Sequence, residues 1–157
     1  MDNQLIILSE SLDKKIEILK EIQHYNEKQE KCFKDGQAKL EDFDEAVAHK
    51  EKLIEKVQRL DLGFEALYQR VAEELKDNRQ MYSLQIKEMQ EKIAIVTELN
   101  VSIQAQEQRN KKLVEEFFAA ERMKLKTPRK VSKSAYDRYK EMNGMGRKTT
   151  GAVDNRK

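Results

Sequence analysis

The chain has 157 residues and a net charge of +2; 38% of its residues are charged and only 6% are aromatic. One proline, five glycines and no tryptophan are typical of long helices that share an apolar seam, and this composition excludes a thick globular core. The single cysteine, Cys32, excludes an internal disulfide, and no stretch approaches the roughly 20 apolar residues of a membrane span. Because the N-terminus also lacks the features of a signal peptide, we predict a cytoplasmic protein without a membrane span.

The first predicted helix covers residues 4–34. Leucine and isoleucine recur at the a and d positions of a heptad repeat, and two polar residues, Lys15 and Asn26, interrupt the series. Polar residues at such positions weaken a two-stranded coiled coil, but they suit a wider bundle or fix the register of its helices. Asp35 and Gly36 then form the clearest break, since glycine ends helices in the left-handed conformation and aspartate favours turns.

A second helix is predicted from residue 38 to about residue 75, with apolar residues spaced by threes and fours on both sides of Gly63. A glycine inside a helix costs only about 1 kcal/mol relative to alanine, whereas each buried leucine or phenylalanine beside it contributes roughly 1.5–3 kcal/mol. The helix is therefore expected to run through Gly63, where the missing side chain would allow close approach of a neighbouring helix or, as the alternative, a kink.

Polar residues at 76–80 interrupt the apolar series and mark the second reversal, where they supply turn formers and a helix N-cap. A third helix is predicted from residue 81 and ends before Thr127, because Pro128 disfavours helix in the residue before it. Short connections between such helices give an elongated antiparallel three-helix bundle or coiled coil, on the order of 50–65 Å long. We predict this all-α bundle as one domain over residues 1–126.

Residues 127–157 carry nine basic and three acidic residues, a net of +6, whereas the rest of the chain has 22 basic and 26 acidic residues. This composition predicts a flexible basic C-terminal tail. One segment within the tail, residues 134–144, has capping residues at both ends and Tyr136, Tyr139 and Met142 at intervals of three. Because about three helical turns are marginal alone, we expect this segment to become helical only on binding a partner.

The sequence contains no signature of a catalytic or cofactor site. Glu21 and His24 have the spacing of half a di-iron site, but the second half is missing because Ala46 takes the position that would pair with His49. Cys32 has no recognisable catalytic partner, and no glycine-rich phosphate loop occurs. We therefore expect neither an enzyme nor a bound cofactor or metal. The basic tail can attract phosphates weakly, but no base-reading motif accompanies it, so nucleic acid is not the expected partner.

Several short motifs follow one another along the chain in a recognisable order. They are the Lys-Glu-Lys-Leu-Ile run at residues 50–54, which continues to Leu67, the Glu98-Leu99-Asn100 triplet, the Asn-Lys-Lys-Leu-Val run at 110–114 and a tyrosine and glycine segment at 136–144. With these motifs the chain resembles the flagellar export chaperones of the FlgN family, over residues 5–144.

The resemblance implies a cytosolic, non-enzymatic type III export chaperone for hook-associated flagellar proteins. Such a chaperone binds the C-terminal helical segments of these clients, keeps them soluble and passes them to a component of the export gate. Tyr136, Tyr139 and Met142 are then expected to dock the tail, with Tyr136 at the export gate. Seven residues of the third helix are expected to bind the client: Leu99, Asn100, Ile103, Asn110, Leu113, Val114 and Phe117.

Two other classes of protein fit the same composition. A structural coiled coil, such as a scaffold or a stalk associated with an export ATPase, would pair its helices with one another and bind no client. It would form fixed oligomers, and the sequence leaves a homo-oligomer open. A nucleic-acid binder would instead show binding that falls steeply with salt.

Overall fold

The computed structural model describes residues 2–34 and 40–124, which are helical except for a short turn. Helix α1 covers Asp2–Lys34, α2 covers Leu40–Asp77 and α3 covers Ser83–Lys124. At 1.5 Å per residue these helices are about 50–63 Å long. The structure confirms the predicted all-α three-helix bundle. The Asp35-Gly36 reversal and the tail at 127–157 lie outside the described residues.

Helix α1 is the centre of the bundle. It packs along both other helices, whereas in the described ranges no Cα atom of α2 lies within 8 Å of a Cα atom of α3. The two outer helices therefore both lie on α1, and they contact each other only through their longer side chains.

The apolar core consists of three successive clusters. The turn-end cluster lies next to the connection between α2 and α3, the middle cluster follows, and the aromatic-end cluster lies at the opposite end of the bundle. The turn-end cluster contains Leu5, Leu8, Leu12, Val71, Leu75 and Met89. The middle cluster contains Leu19, Ile22, Leu53, Val57 and Val96. The aromatic-end cluster contains Phe43, Val47, Val114 and Phe118, with Phe33 packed against them. From the first cluster to the last, residue numbers rise in α1 and α3 and fall in α2. Helix α2 is therefore antiparallel to the other two helices.

A layer of polar side chains separates the middle cluster from the aromatic-end cluster. Lys50 of α2 is fully buried, and its ammonium group donates to Gln29 Oε1 at 3.1 Å and lies 2.5 Å from Glu107 Oε1. Asn110 Nδ2 donates to the backbone oxygen of Asn26 at 2.9 Å. These contacts join all three helices. Buried polar contacts can set the register of packed helices, and this role of Asn26 stays a prediction.

The chain reverses at residues 78–82, slightly later than predicted. Asn78 closes α2, since its backbone N–H and its side-chain Nδ2 both donate to the carbonyl oxygen of Glu74, at 3.1 and 2.9 Å. The sequence predicts an N-cap for α3 in this region, but the structure shows a C-cap for α2. The amide side chain adds a second hydrogen bond to the Glu74 carbonyl oxygen, which can accept two.

Helix α2 runs through Gly63 without interruption, as predicted. The predicted close approach of a neighbouring helix is wrong, because a Cβ atom placed on Gly63 would meet no atom within 4 Å. Gly63 is exposed to solvent, and no neighbouring helix packs against the position where a side chain would be.

Replacing Gly63 with alanine is expected to raise the free energy of unfolding by about 0.5–1 kcal/mol. Alanine loses less conformational freedom than glycine on entering a helix, and the added methyl group meets open space. Urea denaturation followed by circular dichroism measures this change. The reverse substitution at an exposed position of the same helix, Ala66→Gly, is the control and should lower stability by a similar amount. A loss of stability in Gly63→Ala would show that α2 is strained at this residue.

Candidate functional site

An open groove runs between α2 and α3, over the half of the bundle that contains the turn-end cluster. The outer helices form its walls and α1 forms its floor, and the groove encloses about 1290 Å³. It exists because both walls pack on α1 without a close backbone approach to each other.

The walls of the groove combine apolar and polar side chains, and the apolar ones contribute the larger surface area. On α2, Leu60, Phe64 and Tyr68 line it at intervals of four residues, which places them on one face of the helix. On α3, Ile86 and Ile93 line it two turns apart. Tyr68 is 44% exposed and Ile93 40% exposed, and the Phe64 and Tyr68 rings stack with centroids 6.1 Å apart. The bundle buries these side chains only in part, so their remaining surface is available to a partner.

The floor of the groove carries an ion pair. Lys15 Nζ of α1 lies 2.7 Å from Asp61 Oδ1 of α2, and the two side chains are only 10% and 25% exposed. Among the described residues, no donor forms a hydrogen bond with the buried Asp61 Oδ2 atom. Lys15 is one of the two polar residues that interrupt the apolar series of α1, and the structure places it in a groove that is otherwise largely apolar.

None of the seven predicted client-binding residues of α3 lines the groove. Asn110 and Val114 are 1% and 0% exposed, because the polar layer and the aromatic-end cluster hold them inside the bundle. Leu99 and Ile103 pack against the middle cluster, and Phe117 packs against the aromatic-end cluster. These contacts serve the bundle itself, and the role of the residues in client binding stays a prediction.

The two remaining predicted residues, Asn100 and Leu113, are half-buried. The predicted tail-docking residues at 134–144 lie outside the described part of the chain. Sequence reasoning missed Leu60 and Ile93 as site residues because apolar spacing assigns both to the seam of the bundle. A signal was present in α3, where Ile93 and Ile95 are two residues apart and cannot share one helical face.

The described residues do not assemble a metal site. In residues 2–34 and 40–124, no group of three or more His, Cys, Asp or Glu side chains is arranged to hold a metal ion. His24 instead meets the edge of the Tyr25 ring at a centroid distance of 5.9 Å, and His49 stacks on the same ring at 5.1 Å. Cys32 is half-buried near the end of α1.

A further ion pair joins α1 to α3 outside the groove. Lys92 Nζ lies 3.1 Å from Asp13 Oδ1 and 3.2 Å from Glu88 Oε1. Desolvation lowers the pKa of Lys92, but hydrogen bonds and charges of Asp13 and Glu88 outweigh it and raise the pKa above 10.5. Near the turn, desolvation raises the pKa of the Tyr82 hydroxyl above 10.0.

Over the described ranges, α1, α2 and α3 are each too polar to cross a membrane. No protein-family model, curated protein or solved structure matches this chain.

Proposed function

We propose that this chain is a cytoplasmic type III export chaperone that binds the C-terminal helical segments of hook-associated flagellar proteins. The apolar groove between α2 and α3 is the observation that carries the proposal, and the resemblance to the FlgN family supplies the class of client. In this proposal the groove keeps the client segment soluble, and the tail docks through Tyr136, Tyr139 and Met142, with Tyr136 at the export gate.

The dimensions of the groove support a helical occupant. Its lining extends from Gln58 to Asp77 along α2 and from Ile86 to Thr97 along α3, which at 1.5 Å per residue corresponds to about 28 Å and 17 Å. This length accommodates about three to five turns of an amphipathic helix. The apolar face of such a helix would lie on α1 and between the two walls, as in other complexes in which a helix binds in a groove.

The walls supply a moderate binding energy. Complete burial of a leucine, isoleucine or phenylalanine side chain contributes roughly 1.5–3 kcal/mol, but Phe64, Tyr68 and Ile93 are already partly buried. Association also costs at least about 4 kcal/mol in lost translational and rotational freedom. Reversible capture of this kind suits a carrier that has to release its client.

Calorimetric titration of the full-length chain with C-terminal segments of the two hook-filament junction proteins tests the proposal. The expected result is saturable binding of one segment per chain, with a negative heat-capacity change from the burial of apolar surface. The absence of binding by both segments would contradict the proposal.

Replacing Ile93 with serine is expected to weaken binding of the client segment about tenfold, because the substitution removes an apolar contact worth more than 1 kcal/mol. Ile95→Ser is a matched control, since Ile95 is 42% exposed, against 40% for Ile93, and does not line the groove. The same titration should give an affinity within about twofold of the unmodified chain for this control. Equal weakening by both substitutions would show that the client binds elsewhere on α3.

A second candidate function, a structural scaffold or export-ATPase stalk, is favoured by exposed apolar residues at the turn end of the bundle. Ile6 and Ile7 are each 54% exposed, Met81 is 72% exposed and Leu84 is 80% exposed. An apolar end of this kind can join copies of the chain. Light scattering over a series of protein concentrations distinguishes the two candidates. A scaffold forms a fixed oligomer that the client segments leave unchanged, whereas a chaperone forms a complex with one client segment per chain.

A further inference from the structure

The structure also indicates which amphipathic helices the groove would accept. We infer that the groove selects a helix with one amide side chain, asparagine or glutamine, within its apolar stripe, opposite the Lys15–Asp61 ion pair. This inference rests on the proposed function, in which the groove binds a helix, and it adds the chemistry by which that helix is recognised.

The ion pair sets the requirement because a bound helix covers it. Lys15 and Asp61 both line the groove, and their side chains remain 10% and 25% exposed to solvent. A bound helix with an entirely apolar stripe would remove the remaining water from these two charged groups without replacing its hydrogen bonds. Such desolvation raises the free energy of the complex. Asp61 Oδ2 already lies buried without a hydrogen bond from the described residues.

An amide group matches both members of the pair. Its NH₂ group donates to a carboxylate oxygen, and its carbonyl oxygen accepts from an ammonium group, which has three protons to donate. A cationic side chain at the same position would be repelled by Lys15, and an anionic one would be repelled by Asp61. A neutral group that both donates and accepts is therefore the best complement to this pair.

The position of the ion pair also fixes where the amide belongs. Asp61 lies near one end of the groove, whose lining on α2 extends from Gln58 to Asp77. The rest of the lining combines apolar residues, such as Leu12, Phe64 and Met89, with charged residues that are exposed to water, such as Glu73, Lys76 and Arg79. An amide near one end of the stripe meets this part-buried ion pair, whereas an amide further along meets apolar side chains or charged groups that water already solvates. One polar contact in an apolar interface sets the register of the bound helix, as a buried asparagine does in a coiled coil.

A set of synthetic helices tests this selection on the full-length chain. Each peptide has 18 residues and a leucine stripe at heptad spacing, and glutamine replaces one stripe leucine at a time. We expect one peptide, with glutamine near one end of its stripe, to bind about tenfold more tightly than the all-leucine peptide, because hydrogen bonds to charged groups are the strong ones. Glutamine at every other stripe position should weaken binding.

Two double variants locate the effect. In Lys15→Met with Asp61→Leu, apolar side chains replace the ion pair, and every glutamine peptide should then bind more weakly than the all-leucine peptide. Lys92→Met with Asp13→Leu removes an interhelical ion pair outside the groove and should leave the original preference intact. The peptide scan on the unmodified chain decides the question even if the first variant does not fold.

The outcomes separate this inference from the proposed function. If the hook-filament junction segments bind but the all-leucine peptide binds more tightly than every glutamine peptide, the inferred selection is wrong and the proposed function stands. If the glutamine preference appears and the junction segments do not bind, the selection stands and the proposed client is wrong. If no peptide binds at concentrations up to about 1 mM, the groove does not accept amphipathic helices, and the inference is overturned.

Discussion

Replacing Glu107 with alanine is expected to lower the free energy of unfolding by about 3–5 kcal/mol, the usual cost of removing one partner from a buried ion pair. Lys50 would keep the amide oxygen of Gln29 but lose the carboxylate that balances its charge. The cost has an upper bound, because Lys50 can lose its proton, which near pH 7 costs about 5 kcal/mol for a lysine of ordinary pKa. Urea denaturation at neutral pH measures the change.

The pH dependence of the Glu107→Ala variant identifies the cause. Burial lowers the pKa of Lys50 below 10.5, and Glu107 raises it in part, so removal of the carboxylate lowers the pKa further. Between that lowered pKa and 10.5 the unfolded chain binds more protons at residue 50 than the folded chain does. The stability contributed by this site therefore rises with pH through that window.

The control for this prediction is the double variant Lys50→Met with Glu107→Ala, which has no buried charge at the site. Its stability should exceed that of Glu107→Ala at neutral pH, and the difference should shrink as the pH approaches 10.5. A constant difference between the two variants over this range would show that packing, and not the charge of Lys50, explains the loss.

Replacing Phe43 with alanine is expected to lower the free energy of unfolding by about 3–5 kcal/mol, as large-to-small substitutions of buried aromatic residues do. Phe43 is 0% exposed and joins all three helices, since it shares a cluster with Val114 of α3 and packs edge-to-face on Phe33 of α1 at 5.2 Å. Thermal or urea denaturation measures the loss. Tyr68→Ala, at a side chain that is 44% exposed, is the control and should cost about 1 kcal/mol or less.

The Phe43→Ala variant also tests whether stability and client binding depend on opposite ends of the bundle. If the aromatic end holds the helices together and the turn end binds clients, then Phe43→Ala should lower stability and leave the client affinity within about twofold under conditions in which the variant is folded. A large loss of affinity in the folded variant would show that the client contacts the aromatic end as well.

The sequence predicts the helices well because their signals are local. Apolar spacing of three and four residues places α2 and α3 close to their observed bounds, and the low cost of one glycine explains why α2 continues through Gly63. The N-cap predicted within residues 76–80 and the C-cap observed at Asn78 differ because the same polar residue types serve both ends of helices.

The candidate site was harder to predict because it depends on the packing of distant elements. The heptad pattern assigns Leu60 and Ile93 to the seam, and only the separation of α2 from α3 leaves them partly open. Likewise, nothing local shows that Lys15 would meet Asp61, which is 46 residues away. The motif-derived residues Asn110 and Val114 instead have neighbours inside the bundle, so a motif alone could not show which face is free.

Hydrogen exchange, measured by mass spectrometry on the full-length chain with and without a bound hook-filament junction segment, shows which part of the bundle the client covers. We expect slower exchange in the two stretches that form the groove walls, residues 58–77 and 86–97, and no change in residues 104–124 of α3. Protection confined to residues 99–117, the stretch that the motifs predicted, would contradict binding in the groove.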